Sequence, residues 1–357
     1  MSNGPRVVIP VEERRKEALI QNVRSPVQQA GSFAELVNDL ANPANRLTFN
    51  NPLDDILRGL IGGDLLMILA RTGHGKTSLM LAMAKEMANR IKAGLLGNKD
   101  SIVIFASLEQ NVEHIELILA GNEELDSTRI IRGDINTDAT ERYIATRPSL
   151  PLWVLGQTRD GFMKGHKELY LEGIIEAVES IVFEYDKRPV VLFLDYLQVA
   201  RIRDRPRMSR HDQVMHSGEE LKRLAMRLNI PVIYGSQARQ AVDGYADKQP
   251  QILDSAWSGE ASFVSDACVS AQLLARNFSR ESHPEVEIGG QFYENTGKTM
   301  IVRVLKQRFE QGWGQVGFQY TPQTLAITGM SNIDLGDMQP VPKQGDLFGD
   351  EDLFNEE

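Results

Sequence analysis

The segment Ala70-Arg71-Thr72-Gly73-His74-Gly75-Lys76-Thr77 carries the densest chemical signal in this 357-residue chain. A loop that cradles phosphates must turn successive backbone N–H groups into one concavity, and glycines at 73 and 75 permit the backbone this requires. The phosphate-loop pattern asks for Gly, four residues, then Gly-Lys-Ser/Thr; Ala70 stands at the first glycine and the remainder fits. In that pattern Lys76 contacts the β- and γ-phosphates of ATP and Thr77 ligates Mg²⁺. Arg71, Thr72, Gly73, His74, Gly75 and Ser78 complete the expected nucleotide-contacting set. The alternative is a glycine-rich turn that merely contains Lys-Thr. Its flanks argue against that: Leu65–Ala70 reads as an apolar strand, and a helical pattern over Ser78–Ala93 aims its positive end at the phosphates.

Two further apolar strands run into acids. Val190–Leu194 ends at Asp195, the Walker B arrangement in which a carboxylate supports the Mg²⁺ shell. Ile102–Ala106 leads through Ser107-Leu108 to Glu109. If that strand neighbours the strand of the phosphate loop, Glu109 could polarise the water that attacks the γ-phosphate; otherwise it is a surface glutamate opening the next helix. Ser236-Gln237 closes the strand Val232–Gly235, where an amide would sense the γ-phosphate or simply begin a loop.

These strands, with Leu152–Leu155, Cys268–Leu273 and Met300–Leu305, alternate with helical patterns such as Gly173–Tyr185, whose Ile174, Ile175, Val178, Ile181 and Val182 share a face. Near-continuous apolar strands separated by helices predict an α/β fold: a mostly parallel central sheet with helices on both faces. Gln315–Tyr320 and Thr324–Thr328, split by a Pro-containing turn, predict a closing C-terminal β-hairpin. Residues 1–47 read as a polar linker segment with Val11–Val23 as one helix candidate. Within that segment, Ser32-Phe33-Ala34-Glu35 has capping-box spacing ahead of a second helix ending near Pro43. Residues 48–329 form one expected domain, and residues 330–357 an acidic tail without periodicity, read as disordered.

The net charge of −10 at first argues against nucleic acid. The tail alone carries −7, however, leaving residues 1–329 at −3, so a local basic surface remains open. The apolar runs are too short for a membrane helix, and one cysteine, Cys268, allows no internal disulfide; a cytoplasmic, membrane-free setting is expected. His211 and His216 are five apart on different helix faces and complete no metal set, which leaves Mg²⁺ with nucleotide as the implied metal.

The segments Leu53-Asp54, Gly59-Leu60, Gly63-Asp64-Leu65, Ala70–Thr77, Ser107-Leu108-Glu109, Asp195-Tyr196-Leu197-Gln198, Ser236-Gln237 and Lys306-Gln307-Arg308 occur in that order. Together they resemble the RecA-like motor domain of DnaB-type hexameric replicative helicases, over about residues 48–329. The resemblance implies a RecA-like P-loop NTPase core and a homo-hexamer with ATP at subunit interfaces. It makes Glu109 the catalytic base, Asp195 a support for the metal, and Gln237 a link between nucleotide and DNA-facing loops. Lys306 and Arg308 would act in trans on the neighbour's γ-phosphate; read without the family, they are a solvated strand end. Residues 1–47 are too few for the family's N-terminal domain, so primase coupling of the usual kind is not expected.

Arg201, Arg203, Arg205, Arg207 and Arg210 crowd ten residues after Walker B, opposed by Asp204 alone. In the family the loop here faces the central channel, where such charges would hold single-stranded DNA by its phosphates; a solvated loop is the alternative. A second channel loop would lie around residues 239–262. There Ala256-Trp257-Ser258-Gly259 departs from the family's charged pair, leaving the backbone near Gly259 to serve phosphate. In the tail, Gln344, Leu347 and Phe348 resemble the short peptide by which replication proteins bind a sliding clamp, against a plain solubilising tail. The expected function is 5′→3′ translocation on single-stranded DNA with unwinding in replication. The rivals are a RecA-like DNA-dependent ATPase in recombination or helicase loading, and a clamp-tethered nucleotide switch.

Overall fold

Pro26 presets its φ for a first helical turn and lacks only an N–H that would go unpaired there. In the computed structural model it opens a helix over Pro26–Ala41. Ser25 Oγ accepts the Gln28 N–H at 3.3 Å while Gln28 Oε1 accepts the Ser25 N–H at 2.9 Å, a reciprocal capping box. The expected box at Ser32 is therefore overturned: Ser32 lies inside this helix, because an earlier box with a proline at its first position has already started it. The structure describes residues 23–42, 46–57, 59–121, 125–164, 170–203, 207–255, 261–308, 314–321 and 323–329; the helix candidate Val11–Val23, apart from its last residue, and the acidic tail lie outside them. Two compact units divide the chain, Met1–Arg46 and Leu47–Glu357.

The second unit is built on eleven described strands: β1 (Leu65–Ala70), β2 (Ser101–Ser107), β3 (Leu152–Gly156), β4 (Arg188–Asp195), β5 (Val232–Gln237), β6 (Ala267–Leu273), β7 (Glu285–Ile288), β8 (Gln291–Glu294), β9 (Thr299–Gln307), β10 (Gln315–Thr321) and β11 (Ala326–Gly329). Nine form one sheet in the order β11-β10-β9-β6-β1-β5-β4-β2-β3, and β7 pairs only with β8. From β6 to β3 neighbouring strands are parallel. The β9, β10 and β11 ladders are antiparallel, and β10 with β11 makes the closing hairpin.

Alternation along β1 divides the core. Leu66, Ile68 and Ala70 join a cluster with Leu79, Met80, Met83 and Met87 of helix Lys76–Lys92, while Leu65, Met67 and Leu69 face Ile174, Val178, Leu221 and Leu224 of helices Leu171–Phe183 and Arg210–Leu228. All six β1 side chains are buried, as a central parallel strand covered on both faces requires. Truncating one such leucine to alanine would cost about 2–5 kcal/mol. No helix among the described residues is long and apolar enough to cross a membrane.

Candidate nucleotide site

The loop from β1 to helix Lys76–Lys92 turns on two glycines in the left-handed region, Gly73 at φ 81° and Gly75 at φ 79°. Gly75 is also the residue capping the helix, and a Cβ there would meet Met300 Cε and Tyr320 Cε1 at 3.2 Å. Sterics and backbone conformation thus both require glycine at that point. His74 points inward, its Nδ1 accepting the Leu273 N–H at 3.1 Å. Burial, then the charges of Arg276 and Arg71, push its pKa down to about 4 against an opposing Asp243, so the ring stays neutral and able to accept.

Asp195, at the end of β4, is fully buried and is where the site converges. Its Oδ1 accepts from Lys76 Nζ at 2.5 Å and its Oδ2 from Thr77 Oγ1 at 2.6 Å. A carboxylate so deeply buried must be paired, and both partners come from the first turn of the phosphate-loop helix. Lys76 Nζ also lies 4.3 Å from the centre of the Tyr196 ring. Gly235 of β5 makes room for the lysine, since a Cβ there would come within 2.8 Å of Nζ. The donor set fits nucleotide and Mg²⁺: a glycine cradle at a helix N-terminus, one ammonium, and a hydroxyl beside a carboxylate.

Glu109 follows β2, and the condition attached to it fails as stated. β2 does not neighbour β1; β5 and β4 lie between them. The glutamate nevertheless reaches the site through β4, because Ser107 is in register with Asp195 and the Leu108 N–H donates to the Asp195 carbonyl at 2.7 Å. Ser107 Oγ closes the turn by accepting the Gln110 N–H at 3.0 Å. Glu109 is exposed, yet partial desolvation and the Asp195 charge raise its pKa, with Lys76 opposing. A general base works only when deprotonated, so if Glu109 serves as one, turnover falls on the acid side at a pH above that of an ordinary glutamate. A pH–kcat profile checks this, and Glu109→Gln should abolish that limb along with about 10²–10⁴-fold of the rate.

Gln237 Nε2 donates to Thr72 Oγ1 at 2.7 Å, joining the end of β5 to the phosphate loop. Its backbone N–H donates to Gln198 Oε1 at 3.0 Å, and Gln198 Nε2 reaches Ser236 Oγ at 2.7 Å and Ser255 Oγ at 3.2 Å. Arg71 grips the same following segment, with Nε and Nη2 on the two Asp243 carboxylate oxygens at 2.9 and 2.8 Å and Nη1 on the Ala238 carbonyl at 3.2 Å. The phosphate loop is thereby wired to residues 238–255 at two points.

Lys306 and Arg308 are not brought to this cluster. Gln307 is in register with Ala267, and Ala267 with Leu66, so Arg308 lies at the edge of the sheet where β1 begins, whereas the phosphate loop follows the end of β1. At about 3.3 Å per residue, the length of β1 alone separates them by roughly 16 Å. Lys306 Nζ donates to the Ser262 carbonyl at 2.7 Å, and Arg308 Nη1 to Asp266 Oδ1 at 3.1 Å.

Of the arginines after Walker B, Arg201, Arg203 and Arg207 are exposed. Arg203 stands 3.8 Å from Glu176 and over the Tyr170 ring at 5.7 Å. Arg210 differs from the expectation of a DNA-facing charge: Nη1 donates to the Ala200 carbonyl and to Gln213 Oε1, each at 2.9 Å, and Nη2 to the Gln198 carbonyl, so it braces the turn that follows Asp195. Arg205, Gly259, Gln344, Leu347 and Phe348 lie outside the described residues. Sequence reasoning missed Asp243, Asp266 and Arg276, whose guanidinium carbon would lie 4.0 Å from a Cβ on Gly73. None of them stands in a local pattern that separates it from an ordinary surface residue.

The model of the DnaB-like helicase C terminal domain matches residues 47–327. The replicative DNA helicase DnaC of Bacillus subtilis (strain 168) is 23% identical over 286 residues, 78% of this chain and 58% of that protein. The replicative DNA helicase DnaB of Rickettsia prowazekii (strain Madrid E) is 28% identical over 210 residues, 58% of this chain and 41% of that protein. The chain thus spans about half the length of these curated relatives. Among solved structures, a DnaB-like replicative helicase aligns with TM-score 0.66 at 18% identity, covering 90% of this chain and 73% of its own. A second solved structure, of an ATPase domain, aligns with TM-score 0.64 at 17% identity, covering 85% of this chain and 98% of its own. The fold is accordingly that of RecA-like ATPase domains. That family match runs over most of the chain and agrees with the fold, so the chain belongs to the DnaB-like helicase C-terminal domain family.

Proposed function

We propose that this chain is the ATP-driven motor of a ring, normally a hexamer, that translocates 5′→3′ along single-stranded DNA and unwinds duplex during replication in the cytoplasm. The observation that carries the reading is the division of the catalytic set across the sheet. Lys76, Thr77, Asp195 and Glu109 gather at one edge, while Arg308 stands at the other, roughly 16 Å away along β1, and Lys306, level with Met67, about 10 Å away. A single subunit therefore holds half a site, and a neighbour supplies the cations. Phe33, Leu36 and Val37, exposed on one face of helix Pro26–Ala41, suit packing against such a neighbour.

Lys76 and the loop N–H groups bind the phosphates of ATP, Glu109 takes a proton from the attacking water, and Arg308 with Lys306 meets the charge that develops on the γ-phosphoryl group. Bound Mg²⁺, held through Thr77 and supported by Asp195, supplies charge neutralisation to the phosphate oxygens. Gln237 and Arg71 carry the state of the phosphate loop to residues 238–255. DNA contact falls to Arg201, Arg203 and Arg207, with Arg205 and the backbone near Gly259 as further candidates. Replacing the three exposed arginines by alanine should reduce the slope of log affinity against log salt by about 0.7 for each phosphate no longer neutralised, measured on single-stranded DNA by titration. An unchanged slope would move the DNA path elsewhere. Clamp docking through Gln344, Leu347 and Phe348 is a further part of the proposal, carried by the sequence of the tail.

The deciding experiment measures ATP hydrolysis and forked-DNA unwinding, with and without single-stranded DNA, beside particle mass. A ring with DNA-stimulated turnover and strand separation supports the reading. A monomer without stimulated turnover would sink it, and stimulation without strand separation would favour a recombination or loading ATPase.

A further inference from the structure

Asp266 opens onto three elements at the sheet edge remote from the phosphate loop. It is 7% exposed and immediately precedes β6. Its N–H donates to the Leu65 carbonyl at 2.8 Å, and its Oδ2 accepts the Leu65 N–H at 2.8 Å, clasping the start of β1. The same Oδ2 accepts from Lys222 Nζ at 2.5 Å, and that ammonium also donates to the Gly63 carbonyl at 2.7 Å. Towards β9 the residue works twice more: its carbonyl accepts the Arg308 N–H at 2.7 Å, and its Oδ1 accepts from Arg308 Nη1 at 3.1 Å.

Asp266 therefore contacts both the backbone and the guanidinium of Arg308. The arginine side chain is 45% exposed, so its tip is held at the protein surface and not drawn into the core. Lys222 shares the carboxylate and Asp64 adds a second acid to the group, so Asp266 orients the guanidinium from within a set of two acids and two cations. Left to solvent, a long arginine samples many rotamers, and a reacting group misplaced by about 1 Å can lose about 10²-fold in rate.

We propose that Asp266 is a positioning residue for catalysis in trans: it holds the Arg308 guanidinium in place for the nucleotide of the neighbouring subunit. This rests on the reading that Arg308 serves the neighbour's site.

The test uses rings of the full chain. Asp266→Asn is expected to lower single-strand-stimulated kcat about tenfold or more. The KM for ATP, the affinity for a fluorescent ATP analogue and the particle mass should stay near wild type, because the phosphate loop is untouched. The loss should belong to the neighbour. In rings mixed from Asp266→Asn and Lys76→Ala subunits, an intact phosphate loop of the first meets a well-held Arg308 of the second, and turnover should exceed that of either variant alone. A carboxylate that only stabilised the fold would leave such mixing without effect. If this mixture does not recover while Arg308→Ala mixed with Lys76→Ala does, the positioning role is overturned and the trans reading stands. If neither mixture recovers, the trans reading falls and takes the proposal with it. Should the Asn variant fail to assemble, Asp266→Glu decides: it keeps the charge but moves the carboxylate by one methylene, and a wild-type kcat in it overturns the proposal.

Discussion

Replacing Arg308 by alanine is expected to cut DNA-stimulated ATP turnover about 10³-fold or more, with nucleotide affinity nearly unchanged. The size follows from the chemistry, since a cation supplied to the transferring phosphoryl group meets charge that exists only in the transition state. The selectivity follows from geometry. Arg308 stands beside Asp266 at the edge where β1 begins, and its own phosphate loop lies past the other end of that strand. Its backbone N–H bond to the Asp266 carbonyl does not depend on the side chain, so the β6–β9 ladder should persist. Arg308→Lys should recover only part of the rate, because an ammonium lacks the planar fork. Single-turnover hydrolysis beside equilibrium binding of an ATP analogue separates the two effects. A kcat close to wild type in the alanine variant would remove Arg308 from catalysis.

Lys76→Ala should abolish turnover and weaken nucleotide binding, and it should also destabilise the nucleotide-free protein. Lys76 Nζ is 2.5 Å from a fully buried Asp195, whose remaining side-chain partner across that contact is Thr77 Oγ1 at 2.6 Å. Removing one member of a buried ion pair leaves an uncompensated charge and costs about 3–5 kcal/mol. Adding Asp195→Asn to the Lys76→Ala background should return much of that stability while leaving turnover at zero, since the stranded charge is gone but the phosphate ligand is not restored. Denaturant midpoints of the two single variants and the double variant test this. Purely additive losses would show that Lys76 and Asp195 are not energetically coupled in the folded chain.

Local signals are legible in proportion to how locally they act. The strand Leu65–Ala70 can be named to the residue because every side chain is apolar, and the phosphate loop because its two glycines and Lys-Thr lie within one turn. The hairpin β7–β8 leaves no comparable trace. Its strands are four residues each, with only Val286, Ile288 and Tyr293 buried among exposed and polar neighbours. The start of the first described helix is easily misplaced because two Ser/Gln-or-Glu pairs at capping spacing compete, Ser25 with Gln28 and Ser32 with Glu35. The proline after Ser25 decides between them. Spacing alone groups Arg210 with its arginine neighbours, yet carbonyls from the turn after Asp195 claim its guanidinium.

By itself the sequence determined which residues could bind phosphate, which acids end strands, and that the strands belong to a covered parallel sheet. These follow from residue type and from periods of two and 3.6, which are properties of short stretches of chain. The tertiary structure alone decided the strand order. It placed β4 and β5 between the phosphate loop and Glu109, and made the Asp195 carboxylate the shared partner of Lys76 and Thr77. It also sent Arg308 to the opposite edge, because β9 runs antiparallel to β6 and carries its last residues back towards the start of β1. Which strands pair, and in which direction, is fixed by contacts between residues far apart along the chain. No local pattern encodes them, so the distance between Arg308 and the phosphate loop emerges only once the sheet is assembled.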